Sequence, residues 1–155
     1  FQIESSYEPF KNFEVTLAFR YNDVKTTISD ELVQKPLVNK FKGLLAASYL
    51  TPFKSWQFDL NIQAVGNQRL PYTGYNPEEY QLDNYSPEYL LINAQITRYL
   101  NRFELYIGGE NLGNYRQTNP IIAADDPFGK YFDSSIIWGP ITGIKVYAGL
   151  RYKIQ

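Results

Sequence analysis

The chain has 155 residues with no Cys, no Met and no His, and Lys+Arg 15 against Asp+Glu 16 leave a formal net charge of -1. Balanced charge gives no electrostatic case for nucleic acid or for a polybasic membrane surface. Without thiols and imidazoles there is no disulfide framework, no ordinary zinc or haem ligand set, and no Cys or His nucleophile; neither a cofactor nor a metal site is expected.

No apolar run approaches the roughly 18 residues a spanning helix needs, so any crossing of a membrane falls to strands. Aromatic residues make up 17%, mostly Tyr and Phe. They suit strands, and they suit the girdles where a barrel wall meets lipid headgroups. The chain lacks Met and opens in mid-pattern, with Phe1, Ile3, Ser5 and Tyr7 alternating with Gln2, Glu4 and Ser6. Both observations lead to the expectation of a processed product or a piece of a longer chain.

Seven strands are predicted. The first runs from Phe1 to Tyr7 and turns through Glu8 to Asn12. The second begins at Phe13, with Val15, Leu17, Phe19 and Tyr21 on one face and Glu14, Thr16, Ala18, Arg20 and Asn22 on the other. A polar connection from Asp23 to Asn39 follows, containing Pro36. The third, Phe41 to Leu50, carries apolar residues on both faces and turns at Thr51 to Lys54. The fourth puts Trp56, Phe58, Leu60, Ile62 and Ala64 opposite Gln57, Asp59, Asn61 and Gln63, an alternation that a helix would scramble.

A long loop rich in Tyr, Pro, Asn and Gly spans Gln68 to Glu88. The fifth strand sets Leu90, Ile92, Ala94 and Ile96 against Leu91, Asn93, Gln95 and Thr97, and turns near Leu100 and Asn101. The sixth sets Phe103, Leu105 and Ile107 against Glu104, Tyr106 and Glu110. A third long loop, Gly113 to Pro140, leads into the last strand, within Thr142 to Gln155. There Ile144, Val146, Ala148, Leu150, Tyr152 and Ile154 alternate with Lys145, Tyr147, Gly149, Arg151 and Lys153.

Short and long connections alternate, so in an up-and-down antiparallel barrel all tight turns share one rim and all long loops the other. Outer-membrane barrels have this asymmetry, with tight turns toward the periplasm. Tyr49, Trp56, Phe103 and Tyr152 then form an aromatic girdle at the tight-turn end of the lipid face. A turn confined to Thr51 to Lys54 predicts Tyr49 opposite Trp56, Ala47 opposite Phe58 and Gly43 opposite Ile62. Asp59, Asn61, Gln63, Glu104, Glu110, Lys145 and Arg151 are the expected lumen-facing wall. Glu104 is expected to pair with Arg151 or Lys153, and Glu110 with Lys145, as wall electrostatics rather than catalysis.

Among candidate sites, the Tyr and Asn cluster from Tyr72 to Tyr85 has two readings. Tyr72, Tyr75, Asn76, Tyr80 and Tyr85 either stack on a ligand in the mouth of the barrel or pack the loop on itself. Asp125, Asp126 and Asp133 match no calcium-loop spacing, and Pro127 interrupts them. Asp59 and Glu110 lie on different strands with no nucleophile beside them. Gly108 and Gly109 read as a kink or a close approach in the wall, since no helix follows to bind phosphate.

The segment Tyr106 to Tyr115, YIGGENLGNY, resembles the penultimate-strand motif of TonB-dependent outer-membrane receptors. The segment Asp126 to Trp138, DPFGKYFDSSIIW, with Gly139, Pro140 and the closing KVYAGLRYKI, is similar to the end of such receptors from the Bacteroidetes. Tyr147, Gly149, Tyr152 and Ile154 also resemble the terminal-strand signal read by the barrel assembly machinery, although an aromatic last residue is commoner than Gln155.

This resemblance implies that residues 1–155 are the C-terminal part of one transmembrane barrel domain of about 22 strands, lacking its plug and earlier strands. It implies import of a scarce nutrient with energy from the TonB complex. The implied partners are the rest of the receptor, outer-membrane lipid, the assembly machinery and, in many relatives, a surface lipoprotein or other outer-membrane proteins. Seven strands fall short of the roughly 8 of the smallest closed bacterial barrels. Two other readings remain open: a small stand-alone outer-membrane barrel with a structural or adhesive role, and a barrel enzyme, against which the missing His counts.

Overall fold

The protein, seen in a computed structural model that describes residues 1–28 and 30–154, is built of nine strands. They are β1 (Gln2–Phe10), β2 (Phe13–Tyr21), β3 (Lys25–Ile28), β4 (Glu31–Gln34), β5 (Phe41–Leu50), β6 (Trp56–Val65), β7 (Tyr89–Tyr99), β8 (Phe103–Glu110) and β9 (Lys145–Tyr152). Seven of them form one antiparallel sheet in the order β1-β2-β5-β6-β7-β8-β9, and β3 and β4 make a separate hairpin. Each large-sheet strand thus lies beside the next one in the chain, a meander in which the short connections share one rim and the long ones the other.

Side-chain alternation sorts the sheet into two faces through its register. Leu60 stands between Ala47 and Ala94, whereas its neighbour Asp59 stands between Ser48 and Gln95. The apolar face is left bare by this chain: Val146 is 71% exposed and Leu150 60%. Its hydrophobic side chains have no second layer of protein to bury them, unlike the inner face of a sandwich.

Four predicted details change. Tyr49 faces Phe58, Ala47 faces Leu60 and Gly43 faces Ala64, a slip of two residues from the expected pairing. The reason is the turn: Thr51 and Trp56 form the closing pair, with Thr51 N donating to Trp56 O at 2.9 Å and Trp56 N to Thr51 Oγ1 at 3.1 Å. The loop is therefore Pro52 to Ser55, with Lys54 in the left-handed region at φ 51°. An even slip leaves every side chain on its predicted face, so the two-faced pattern survives.

The first strand runs on to Phe10 instead of ending at Tyr7, and the register shifts between Tyr7 and Phe10. Pro9 falls in that shift; it has no N–H to give a ladder, so a bulge accommodates it. Asn12, at φ 66°, then closes the turn with its N–H on Glu8 Oε1 at 2.8 Å. The connection expected from Asp23 to Asn39 contains the β3–β4 hairpin, whose turn has Asp30 at φ 65°; Ser29 lies outside the described residues. At the other end the last strand ends at Tyr152 rather than running to the terminus. Lys153 still donates its N–H to Arg102 O at 2.9 Å, and Gln155 lies outside the described residues.

The aromatic band at the tight-turn rim is wider than its four predicted members. Phe10 stacks on Phe13 with ring centroids 4.8 Å apart, and Tyr49 meets both edge-on. Phe103 and Tyr152 approach to 5.0 Å. At the opposite rim the long loops build the one buried hydrophobic cluster of the described residues, Leu70, Ile122, Ala123, Ile136 and Trp138.

Candidate functional site

The long loops fold onto one another instead of trailing into solvent. Irregular backbone needs partners for its polar groups, and three buried amides supply them here. Gln117 Oε1 accepts from Trp138 N at 2.8 Å and Gly139 N at 3.0 Å, while its Nε2 donates to Ile136 O at 2.9 Å. Gln68 Nε2 donates to Trp138 O at 2.7 Å. Asn111 Oδ1 accepts from Tyr115 N at 3.0 Å, and its Nδ2 donates to Tyr115 O at 2.8 Å and Thr142 O at 3.1 Å. Tyr89 and Tyr115 stack at 4.6 Å beside Trp138, and burial raises the Tyr115 phenol above its ordinary pKa.

The segment Tyr106 to Tyr115 thereby acquires a mechanical reading. After Glu110 the chain leaves the strand through Asn111 and Asn114, both at φ 51°, a backbone region Asn tolerates well. Asn111 then uses its amide to tie the third long loop back to Thr142, and Asn114 Oδ1 accepts from Ile144 N at 3.3 Å. The two ends of that loop are pinned together by these side chains.

The five candidate loop residues divide. Tyr80 packs against the loop cluster and Tyr131, and its hydroxyl donates to Asp125 at 3.3 Å. Burial first, and Asp125 after it, raise its pKa above the ordinary phenol value. The Asn76 side chain serves the backbone, its Nδ2 donating to Tyr80 O, while its main-chain carbonyl accepts from Gln81 Nε2. Tyr72, Tyr75 and Tyr85 are exposed, the first two edge-to-face at 6.2 Å. Two carboxylates of the acidic trio go to separate local tasks, Asp125 to Tyr80 and Asp133 Oδ1 to Ser135 N at 2.7 Å, while the main-chain carbonyl of Asp126 accepts from Gly129 N at 2.9 Å.

On the polar face of the sheet the predicted wall residues come together. Asp59 Oδ1 accepts from Ser48 Oγ at 2.7 Å and Gln57 Nε2 at 2.8 Å, and Tyr99 donates to Gln57 Oε1 at 2.6 Å. Gln63 donates to Asn61 at 3.1 Å. A hollow of about 460 Å³ opens between Glu14, Ser48, Asp59, Asn93, Gln95 and Tyr147. Neighbouring side chains along this run thus hydrogen-bond to one another, as Ser48, Gln57, Asp59 and Tyr99 do at one end and Gln95 and Tyr147 do at the other, which makes a polar wall.

Toward the tight-turn rim, Glu104 is buried between Arg151 at 2.6 Å and Lys153 at 2.5 Å, so both predicted partners are taken. Glu110 and Lys145 oppose each other in register, without an ion pair between them among the described residues. Of Tyr147, Gly149, Tyr152 and Ile154, the first two have packing tasks. Tyr147 lies over Gly108 and Tyr106 over Gly149, each ring filling the space where a β-carbon would stand. Gly108 is thus a close approach. Tyr152 packs on Phe103, and Ile154 is exposed.

Sequence reading missed Gln68, Asn111 and Gln117, because amides in an irregular loop obey no period. It also stopped the fifth strand's pattern at Thr97. One step further the alternation puts Arg98 on the apolar face, opposite Trp56 and Leu105.

The architecture has a solved counterpart. The crystal structure of the ferric enterobactin receptor (PfeA) in complex with BCV-L6 is similar to this chain, with a TM-score of 0.61 at 10% sequence identity. The match covers 95% of this chain and 21% of that one. The fold shared is that of a stretch of β-barrel wall. No protein-family model matches the chain, and no curated protein matches it by sequence.

Proposed function

We propose that residues 1–155 are the C-terminal part of a single transmembrane β-barrel domain, belonging to a TonB-dependent receptor of the Bacteroidetes type. The whole receptor imports a scarce nutrient, such as a siderophore, metal complex, glycan or peptide, across the outer membrane. The observation that carries this reading is a two-faced sheet whose apolar side is bare while its polar side is laced with hydrogen bonds between neighbouring side chains. Lipid outside and water inside is the environment such a sheet fits. The aromatic band at one rim and the self-packed long loops at the other fit an interfacial girdle and an extracellular mouth.

In this reading the tight turns lie at the periplasmic rim. Asp59, Asn61, Gln63, Glu104, Glu110, Lys145 and Arg151 face the lumen, and Tyr72, Tyr75 and Tyr85 are the loop aromatics free to meet a ligand. Plug and remaining strands complete the receptor, TonB contacts it through the plug, and a surface lipoprotein or other outer-membrane protein is a further partner. The test is genetic and uses the complete gene product. Deleting the gene and inactivating TonB are expected to abolish the same nutrient uptake, with the protein fractionating to the outer membrane. A soluble protein, or uptake independent of TonB, would sink the reading.

A second expected result concerns insertion. Tyr152→Asp combined with Ile154→Asp in the complete receptor puts charge on the apolar side of the closing strand and removes the Phe103 contact. The double variant is expected to reach the outer membrane at a sharply reduced level, measured by fractionation and immunoblot. Wild-type levels would refute the assembly role given to Tyr147, Gly149, Tyr152 and Ile154.

A further inference from the structure

Arg98 is the one charged residue on the apolar face of the seven-stranded sheet. It is the penultimate residue of β7, next to the tight-turn rim. Its guanidinium lies over Trp56 at 4.7 Å from the ring centroid, a cation–π contact that holds the fork in place. Among the described residues it makes one hydrogen bond, from Nη1 to Ser55 O at 3.4 Å, and it belongs to none of the ion pairs. A guanidinium offers five N–H donors, so most of this one's are unspent.

Charge and depth narrow the partner. Lys54 and Arg102, both exposed, sit on the two turns that adjoin Arg98, and the register places Ser55 O beside β7, where it also accepts from Tyr99 N at 2.9 Å. Glu104, the carboxylate of this neighbourhood, points to the opposite face and is taken by Arg151 and Lys153. Lys54 and Arg102 thus add positive charge to the rim at which Arg98 lies, and Ile96, Phe58 and Leu105 are exposed on the same apolar face. A cation at this depth is tolerated, since the penalty on the lipid face falls toward the interface. A planar fork fixed on an indole suits a tetrahedral oxyanion that accepts two hydrogen bonds.

We propose that Arg98, braced by Trp56 and flanked by Lys54 and Arg102, binds the phosphate of a membrane phospholipid in the leaflet at the tight-turn rim. The acyl chains of that lipid lie along Ile96, Phe58 and Leu105. The proposal rests on the membrane reading above and adds to it a bound lipid at one defined place on the wall.

The test uses the complete receptor, purified in detergent and examined by native mass spectrometry with phosphatidylglycerol as the probe. Wild type is expected to retain one phosphatidylglycerol, and Arg98→Gln to bind it at least about fivefold more weakly. Arg98→Lys keeps the charge and loses the fork, so it should fall between the two. Diacylglycerol, which has no phosphate, should not be retained. Equal retention by wild type and Arg98→Gln would overturn the proposal, and so would displacement of the lipid by millimolar inorganic phosphate, which would make the acyl chains irrelevant. If wild-type receptor fails to insert into vesicles of phosphatidylethanolamine and phosphatidylglycerol, the membrane reading itself falls. Insertion with unchanged lipid binding in Arg98→Gln removes the lipid site alone.

Discussion

Leu60→Arg in the complete receptor is expected to destabilise the barrel by about 2 to 4 kcal/mol, whereas Asn61→Arg, one residue further along the same strand, should stay within about 1 kcal/mol. Both residues lie mid-strand in β6, so length of strand, distance from the turn and the added group are matched. What differs is the face. Leu60 stands between Ala47 and Ala94 among uncovered apolar side chains, and Asn61 between Ala46 and Asn93 at the polar hollow of about 460 Å³. The hollow has room for the longer side chain, and water there can solvate its charge. Denaturant unfolding of the two variants in lipid vesicles measures the difference. Equal destabilisation would mean that neither face meets lipid, and the reverse order would mean that the faces are exchanged.

The same alternation explains how much of this fold was legible in the sequence. A strand with period 2 and one apolar face announces itself, and β6 or β9 is readable residue by residue because nothing else would produce Trp56, Phe58, Leu60 and Ile62 or Val146, Ala148 and Leu150 in step. Which residue faces which across a turn is another matter. The pairing at Thr51 to Trp56 depends on the Thr51 hydroxyl capping Trp56 N and on Lys54 adopting a left-handed conformation. Both are local backbone facts that the composition TPFKS leaves open. The polar hairpin β3–β4 was invisible for a related reason: Lys25 to Gln34 has no face to bury, so its side chains carry no period.

The candidate site was legible in kind and hardly in detail. Tyr-rich loops suggested either a ligand surface or self-packing, and in the structure Tyr80 is packed while Tyr72, Tyr75 and Tyr85 are exposed. Glu104 could be paired from sequence because the residues facing it across an antiparallel ladder follow from the count. Arg98 could have been found by the same count, since it falls two residues after Ile96 on the face that Ile96 occupies.

Gln117→Leu is expected to loosen the loop cluster by at least about 3 kcal/mol while leaving the sheet intact. Gln117 is 5% exposed, and leucine fills much of its space with no polar atom. The substitution strands Trp138 N and Gly139 N without their acceptor and Ile136 O without its donor. Each buried polar group left unmatched costs about 1 to 3 kcal/mol, with Gly139, partly open to water, at the low end. The loss falls on loops that hold one another, through Gln68 to Trp138 O, and do not depend on the strand ladder. Amide hydrogen exchange should therefore speed up across 136–139 and around Gln68, and Trp138 emission should shift toward that of an exposed indole, while β5 to β8 keep their protection. Gln117→Glu separates the terms: it retains an acceptor for both N–H groups, but when ionised it sets a buried charge against Ile136 O, so it should loosen the same loops less than leucine does only at acid pH, where the carboxyl is protonated and can donate there. Protection lost throughout the sheet would mean that loop cluster and wall are one cooperative unit. Protection unchanged at 136–139 would mean that the buried amide does not organise the mouth.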